Sequence, residues 1–478
     1  MQISFETSIV VYRKYVIHKT VRFYRKRTEE AMQKKYEMDL CTGSLWKKIL
    51  VFSVPLMFSN ILQVVFNMSD VAVVGKFAGP IALGSVGSTS ILVTLFTGLL
   101  IGLASGVNAL TALYIGSRDA KEIKSTVHTA AILCLAVGIL LMAFGIAFTE
   151  GILSLLHTKE ELMEGAVLYL RIYLLGAPAL ALYNFGNAVL SAAGDTRRPL
   201  YYLLFAGIIN VILNLFFVIV CQLGVAGVAI ASIISQYISA LLVIALLFRS
   251  QEAFALRFSC LRIDGDKLSR IVRIGLPSAF QNALFAVANL FVQASVNSFD
   301  HVMVEGNSAA ANADPLVYDM MAAFYTACAS FIAQNFGARK KERIWKSYRI
   351  CLLYSLLVGL ILGVGIYLFR YPFLSLFTNE SAVVEAGIRR LSVMALSYGV
   401  SAFMDCSIAA ARGLGKTTVP TIIVTLGSVG FRLLWIYTVF AYFRTIESLY
   451  LMYVFSWAFT AVAEIVYFVR RCRAVKMT

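Results

Sequence analysis

The sequence predicts an all-α polytopic membrane protein, with twelve transmembrane helices in two six-helix lobes related by a pseudo-two-fold along the membrane normal. Three observations carry that prediction. Apolar residues make up 59% of the 478, and charged residues only 14%. The apolar residues fall in blocks of about twenty, the length of helix that crosses a hydrocarbon core of roughly 30 Å. The second half also repeats the first at an offset of 221 residues. Open sheet edges have no place in lipid, so the blocks are helices.

The blocks place spans at about 45–67, 82–110, 126–148, 165–190, 200–221 and 226–248 in the first half. In the second half they fall at about 271–298, 307–335, 348–369, 387–411, 418–440 and 447–469. Asn312, Asp314 and Pro315 interrupt the start of the eighth. The repeat is visible as Gly194/Gly415, Thr196/Thr417 and Pro199/Pro420, with Gly116/Gly337 and Arg118/Arg339 at the same offset. Pro55/Pro277 and Asn60/Asn282 are one residue further on, which needs a single insertion or deletion. Six spans return the chain to the side it left, so the halves have the same orientation, a parallel repeat. Duplicated lobes enclosing a cavity are a transporter architecture.

The boundaries that follow are a basic N-terminal extension at 1–43, an N-lobe at 44–248, a cytoplasmic linker at 249–270, a C-lobe at 271–470 and a tail at 471–478. The net charge of +16 sits in alternate loops, such as Arg118, Lys121 and Lys124, or Arg339, Lys340, Lys341 and Arg343. The other loops hold acids, including Glu160, Glu161, Asp300, Glu305 and Asp314. Basic loops stay inside, which puts both termini in the cytoplasm of a plasma (inner) membrane protein. These loops are short and sit at membrane exits, so nucleic acid is not the expected partner. The first 31 residues carry Arg13, Lys14, Arg22 and Arg25 but no apolar stretch long enough for a cleavable signal. They read either as a helix lying on anionic lipid or as the product of a late true start at Met32 or Met38.

Eight scattered cysteines without a Cys-x-x-Cys argue against a metal site or a disulfide framework. In the loop Gly194–Pro199, glycine ends the fourth helix, Thr196 is placed to cap the fifth, and Pro199 occupies its first turn. Gly415-Lys416-Thr417 imitates a phosphate-binding loop, but Ala410 stands where its first glycine is required. No nucleophile–base pair or metal cluster appears, so an enzyme is not expected.

Ionisable groups inside spans are expensive and therefore informative. Asn60, Gln63, Asn67 and Asp70 share one helix face and lead a polar stripe to a carboxylate. Asn210 and Asn214, four apart on span 5, and Ser232 on span 6 answer it. Together they form either an oxygen-rich pocket for Na⁺ or a proton, or ordinary interhelical bonds beside an interfacial Asp70. In the second lobe Asp319 lies nearer mid-span and is a candidate cavity group. Asp405 and Arg432 on spans 10 and 11 are expected to pair, and Glu464 to snorkel toward Arg470. His128 and His157 read as loop or interface residues. Aromatic and methionine side chains that line a cavity would suit flat apolar cations.

Over about residues 38–472 the chain resembles the multidrug and toxic-compound extrusion (MATE) family, prokaryotic type. The likeness rests on Asn67-Met68-Ser69-Asp70-Val71-Ala72, Leu190-Ser191-Ala192-Ala193-Gly194-Asp195-Thr196, Gln334-Asn335-Phe336-Gly337 and Ala411-Arg412-Gly413. The resemblance implies export of organic cations or drugs in exchange for Na⁺ or H⁺; no other cofactor is expected, and a monomer is the expected working unit. It places the coupling cation at Asp70, Asn210, Asn214 and Ser232. The acid some members carry on span 7 is missing, with Gln281 and Asn282 nearby. The embedded polar residues Gln63, Asn67, Gln281, Asn282, Asp319, Asp405 and Arg432 are the candidates for a substrate cavity. Asn214 departs from the acid common in the family, which leaves one carboxylate at the cation site. The alternatives are a lipid-linked precursor flippase, or an exporter of a specific metabolite or peptide.

Overall fold

The computed structural model describes residues 38–474, and every regular element within them is helical. The surface helix or late start expected for residues 1–31 lies outside the described residues. The first lobe runs α1 (Leu45–Phe77), α2 (Pro80–Ser117), α3 (Ala120–Leu155), α4, α5 (Arg197–Val220) and α6 (Gly224–Arg249). The second runs α7 (Gly265–Val296), α8 (His301–Gly337), α9 (Lys341–Leu368), α10 (Ser381–Gly413), α11 (Thr418–Phe443) and α12 (Ile446–Ala474). Eleven of these are long and apolar enough to cross alone; α4 is the bent pair Glu160–Leu174 and Ala177–Ala192, turned by 46°. Gly176 and Pro178 stand at that break, where proline removes an amide donor and crowds the preceding turn. The interruption expected in α8 falls at Asn312, between 301–311 and 313–337.

Local geometry repeats with the sequence. Gly194 and Gly415 both adopt positive φ after α4 and α10, and Arg118 and Arg339 are left-handed at φ 58 and 56. Thr196 Oγ1 donates to the Phe52 carbonyl at 2.9 Å, and Thr417 Oγ1 to the Arg273 carbonyl at 3.0 Å. Those threonines therefore tie the loop to the first helix of their own lobe and do not cap the next one. In the first lobe Asp195 takes the capping role, its Oδ1 accepting from the amides of Arg197 and Arg198. Burial pushes the Asp195 carboxyl above its ordinary range, against the pull of Arg198 and those amides.

The lobes meet along α1–α8 and α2–α7, two packings that the pseudo-two-fold interchanges, with α2 and α8 crossing at the axis. The crossing is backbone against backbone. A Cβ added at Gly116 would stand 2.0 Å from the Gln334 carbonyl oxygen, and one at Gly337 would stand 1.9 Å from that of Leu113. These contacts are reciprocal at the 221-residue offset, as an isologous interface requires. On α2, Gly98, Gly102 and Gly106 recur every fourth residue, and Gly102 and Gly106 let the α7 backbone approach at Ala279 and Gly275. Among the described residues, the hydrogen bonds between lobes lie from Asn60–Asp319 and Asn282–Gly98 toward the end that carries the basic loops. The seam is closed at the basic end.

The segment between lobes is folded onto α3. The Arg257 amide donates to His128 Nε2 at 3.0 Å, the Asp264 amide to Thr129 Oγ1 at 3.0 Å, and Ser125 Oγ to Asp264 Oδ2 at 2.7 Å. His128, expected at a loop or interface, is instead buried and serves as an acceptor that holds this segment. Just beyond, Lys267 forms an ion pair with Glu122, and its Nζ donates to the Tyr114 hydroxyl at 3.2 Å.

Candidate functional site

Two polar assemblies stand out, one in each lobe. In the first, α1, α5 and α6 converge on Asp70. Asn214 Nδ2 donates to Asp70 Oδ1, and Ser232 Oγ donates to Asp70 Oδ2 at 3.0 Å. Asn214 Nδ2 also reaches Asn210 Oδ1 at 3.3 Å, and Asn210 Nδ2 reaches Ser232 Oγ at 3.5 Å. All three partners are buried, and Asn214 Oδ1 has no hydrogen-bond partner. The i, i+4 spacing of the two asparagines puts both amides on the α5 face turned to α1. A π turn at Phe216–Val220 closes that helix just beyond them. One carboxylate, two amide oxygens and a hydroxyl make an oxygen-rich pocket, the chemistry that suits a hard monovalent cation or a proton.

Gln63 and Asn67 do not join this pocket; both are exposed on α1. Asn60, from the same stripe, turns to the other lobe and donates to the Asp319 carbonyl at 2.6 Å.

The second assembly lines a cavity of about 660 Å³. Its walls are α7, α8, α10, α11 and α12, all of the second lobe. Beside it, the glycine series brings the α2 backbone against α7 at Gly102 and Gly106. Gln281, Asn282, Asp319, Asp405 and Arg432 all line this cavity, whereas Gln63 and Asn67 do not.

Its ion pairs differ from those expected. Arg432 does not pair with Asp405: its Nη1 donates to Asn289 Oδ1 at 3.2 Å and its Nε to Ser456 Oγ at 3.4 Å. The buried salt bridge is Arg390–Asp314 at 2.5 Å, with the Tyr398 hydroxyl donating to the other Asp314 oxygen at 2.6 Å. Asp314, read from sequence as a loop acid, thus belongs to the cavity wall. Arg390 Nη1 also donates to Asn307 Oδ1 at 2.8 Å. Glu464 does not snorkel to Arg470. It is fully buried, neither carboxyl oxygen has a hydrogen-bond partner, and Asp405 lies within its electrostatic reach.

A buried carboxyl with no partner costs its desolvation and returns nothing. Glu464→Met is therefore expected to stabilise the second lobe by about 1–3 kcal/mol. The measurement is the thermal midpoint of the purified protein; a fall would mean that Glu464 has a partner it needs.

Sequence reasoning missed Arg390, Asn289 and Asn307. An arginine inside the predicted tenth span was the available signal for the first. The Gly98/Gly102/Gly106 series was also legible as a small-residue packing stripe.

Comparison with known proteins follows the same outline. The MatE family model matches residues 55–216 and again 277–438, once in each lobe. The probable multidrug resistance protein YpnP of Bacillus subtilis is 28% identical over 80% of this chain and 87% of its own. A FAD transporter of Shewanella oneidensis is 26% identical over 75% of this chain and 80% of its own. Among solved structures, a MATE family transporter of the MOP superfamily in an outward-facing conformation superposes with a TM-score of 0.86. It shares 22% identity, and the match covers 92% of this chain and 98% of that one.

Proposed function

The chain belongs to the MatE family of multi-pass membrane transporters, and on that premise we propose that it exports small organic molecules by alternating access, driven by inward movement of Na⁺ or H⁺ through the Asp70 pocket. The observation that carries the proposal is the division of labour between lobes. A carboxylate pocket sits in the first, a cavity in the second, and a two-fold seam that seals one end of the molecule joins them. We take the basic end as cytoplasmic, so the sealed state faces outward, with both termini inside and the plasma membrane as the site of action. The lobes, 44–248 and 271–470, then rock about the seam as a monomer, with 249–270 between them.

A cation arriving from outside engages Asp70 and favours the state that releases substrate, since a ligand shifts an equilibrium only by its differential affinity. One charge crossing ~150 mV supplies about 3.5 kcal/mol, enough for a substrate gradient of roughly a few hundred-fold. One carboxylate suffices for that stoichiometry. Organic cations are the first reading of the substrate, supported by relatives named for multidrug resistance and by Asp319 and Asp405 in the cavity wall. Arg432 in the same wall favours a second reading, a metabolite with acidic groups.

Efflux of a fluorescent cation from vesicles, with Na⁺ and pH gradients imposed separately, tests the proposal. Acceleration by one gradient and loss of efflux when it is collapsed is the expected result. Efflux indifferent to both gradients would overturn ion coupling.

A further inference from the structure

A guanidinium keeps its proton in any protein environment, so a buried arginine carries a charge that an anion has to answer. In the second-lobe cavity Arg390 is answered by Asp314. Arg432 is not. It is 3% exposed, its hydrogen-bond partners Asn289 and Ser456 are neutral, and its guanidinium carbon stands 4.6 Å from the centre of the Tyr453 ring. Among the described residues no carboxylate oxygen lies within 4.0 Å of it. Asp314 is the carboxylate in electrostatic reach of both arginines. This level of the cavity therefore holds two fixed positive charges and one negative.

The surroundings suit a particular shape of ligand. Arg432 sits on the short α-helical stretch Phe431–Trp435, between π-helical segments Thr425–Gly430 and Ile436–Phe440. Wider turns of that kind recur where a helix presents a side chain to a functional site. Tyr318, Tyr453 and Trp457 line the cavity beside it, and Tyr318 packs edge-on against Trp457 with ring centres 5.8 Å apart. Nearer the basic end the balance reverses, with Asp319 and Asp405 against Arg412.

We infer that Arg432 is the seat for an anionic group, a carboxylate, sulfonate or phosphate, on a planar aromatic substrate, with Asn289 holding the guanidinium toward it. The cavity accordingly takes anionic or zwitterionic aromatic molecules, not simple organic cations alone. The assignment rests on the reading of this cavity as the transport cavity. It makes Arg432 a substrate-binding residue whose missing counter-ion arrives with the cargo. The planar fork of arginine also explains why a lysine would serve less well, because it offers paired donors to a carboxylate or phosphate.

The test uses the purified full-length protein in lipid nanodiscs and two planar dyes of opposite charge, fluorescein and ethidium, read by fluorescence anisotropy. Fluorescein is expected to bind the unaltered protein. Arg432→Gln is expected to weaken fluorescein roughly 30-fold or more while ethidium changes by less than about threefold, and Arg432→Lys to restore part of the loss. Failure of fluorescein to bind the unaltered protein, or equal loss of both dyes in Arg432→Gln, would overturn the assignment. So would complete displacement of fluorescein by excess chloride, which would make an inorganic ion the resident partner.

Where Arg432→Gln does not fold, Asn289→Asp probes the same contact. It supplies a carboxylate beside the guanidinium and is expected to weaken fluorescein and spare ethidium. Unchanged fluorescein binding would count against the assignment. Fluorescein that binds through Arg432, with neither dye moved by any ion gradient, would sink the exporter reading and leave the binding site standing.

Discussion

Asp70→Asn is expected to abolish ion-driven efflux. The substitution preserves the size of the side chain, whose amide oxygen can still accept from Asn214 while the Ser232 hydroxyl turns to accept from its NH2 group, so the three-helix contact is expected to survive. What it removes is the charge that attracts a cation and the oxygen that takes a proton. Without that site the ~3.5 kcal/mol available per charge is no longer coupled, and a substrate gradient of roughly a few hundred-fold falls to about one. The measurement is steady-state dye accumulation in vesicles under whichever gradient drives the unaltered protein, with thermal stability as the control for folding. A retained gradient would remove Asp70 from the mechanism. Asn214→Asp is the informative companion, because it adds a second carboxylate beside Asp70.

The second large effect belongs to the seam. Gly337→Val is expected to stop transport by preventing closure at the basic end. The new side chain would begin 1.9 Å from the Leu113 carbonyl oxygen, a backbone atom that cannot swing aside. Overpacking of this kind costs about 1–3 kcal/mol or more, which shifts the closed-to-open ratio by roughly five- to a hundred-and-fifty-fold. Cys41 reports the shift: it is buried at the seam, with its Sγ 3.7 Å from Gln334 Oε1. In a background with the more accessible Cys221 and Cys260 replaced by serine, maleimide labelling of Cys41 is expected to rise roughly tenfold in Gly337→Val. Gly116→Val should behave alike, since the pseudo-two-fold makes the two positions equivalent. Labelling at the unaltered rate in both would mean that the seam accommodates the side chains without opening.

Much of this was legible from residue order. Twelve apolar blocks and a 221-residue repeat define the lobes because the bilayer fixes the length of each helix and a parallel duplication fixes their relation. Asp70, Asn210, Asn214 and Ser232 were readable as polar groups inside spans, and the i, i+4 spacing of the two asparagines put their amides on one face. The stripe read with Asp70, however, does not reach the pocket at Gln63 or Asn67. The second lobe resisted for a physical reason. Its ion pair joins Asp314 and Arg390 across 76 residues, and no local spacing rule links such partners. Asp405 and Arg432 are opposite charges on neighbouring spans, but adjacency in the chain does not fix which faces of those spans meet. Glu464 escapes a sequence reading because α12 continues as helix to Ala474, beyond the apolar block. That leaves the carboxyl about ten residues from the end of the helix, within the packed part of the lobe.

The stapling of residues 257–264 to α3 has a mechanical corollary. A stretch of that length would ordinarily act as a slack tether, letting two halves drift apart and return. Here it is pinned to the first half through His128, Thr129 and Ser125. Asp264 also caps α7, its Oδ1 accepting from the Asp266 and Lys267 amides beside the Lys267–Glu122 clasp, so the two halves are held together at this point. The molecule is then closer to a door on a pin than to two boats on a rope. Engineers who split the gene for co-expression, or graft one half onto a cousin, should expect a cut here to part α7 either from its Asp264 cap or from the anchor of that residue on α3.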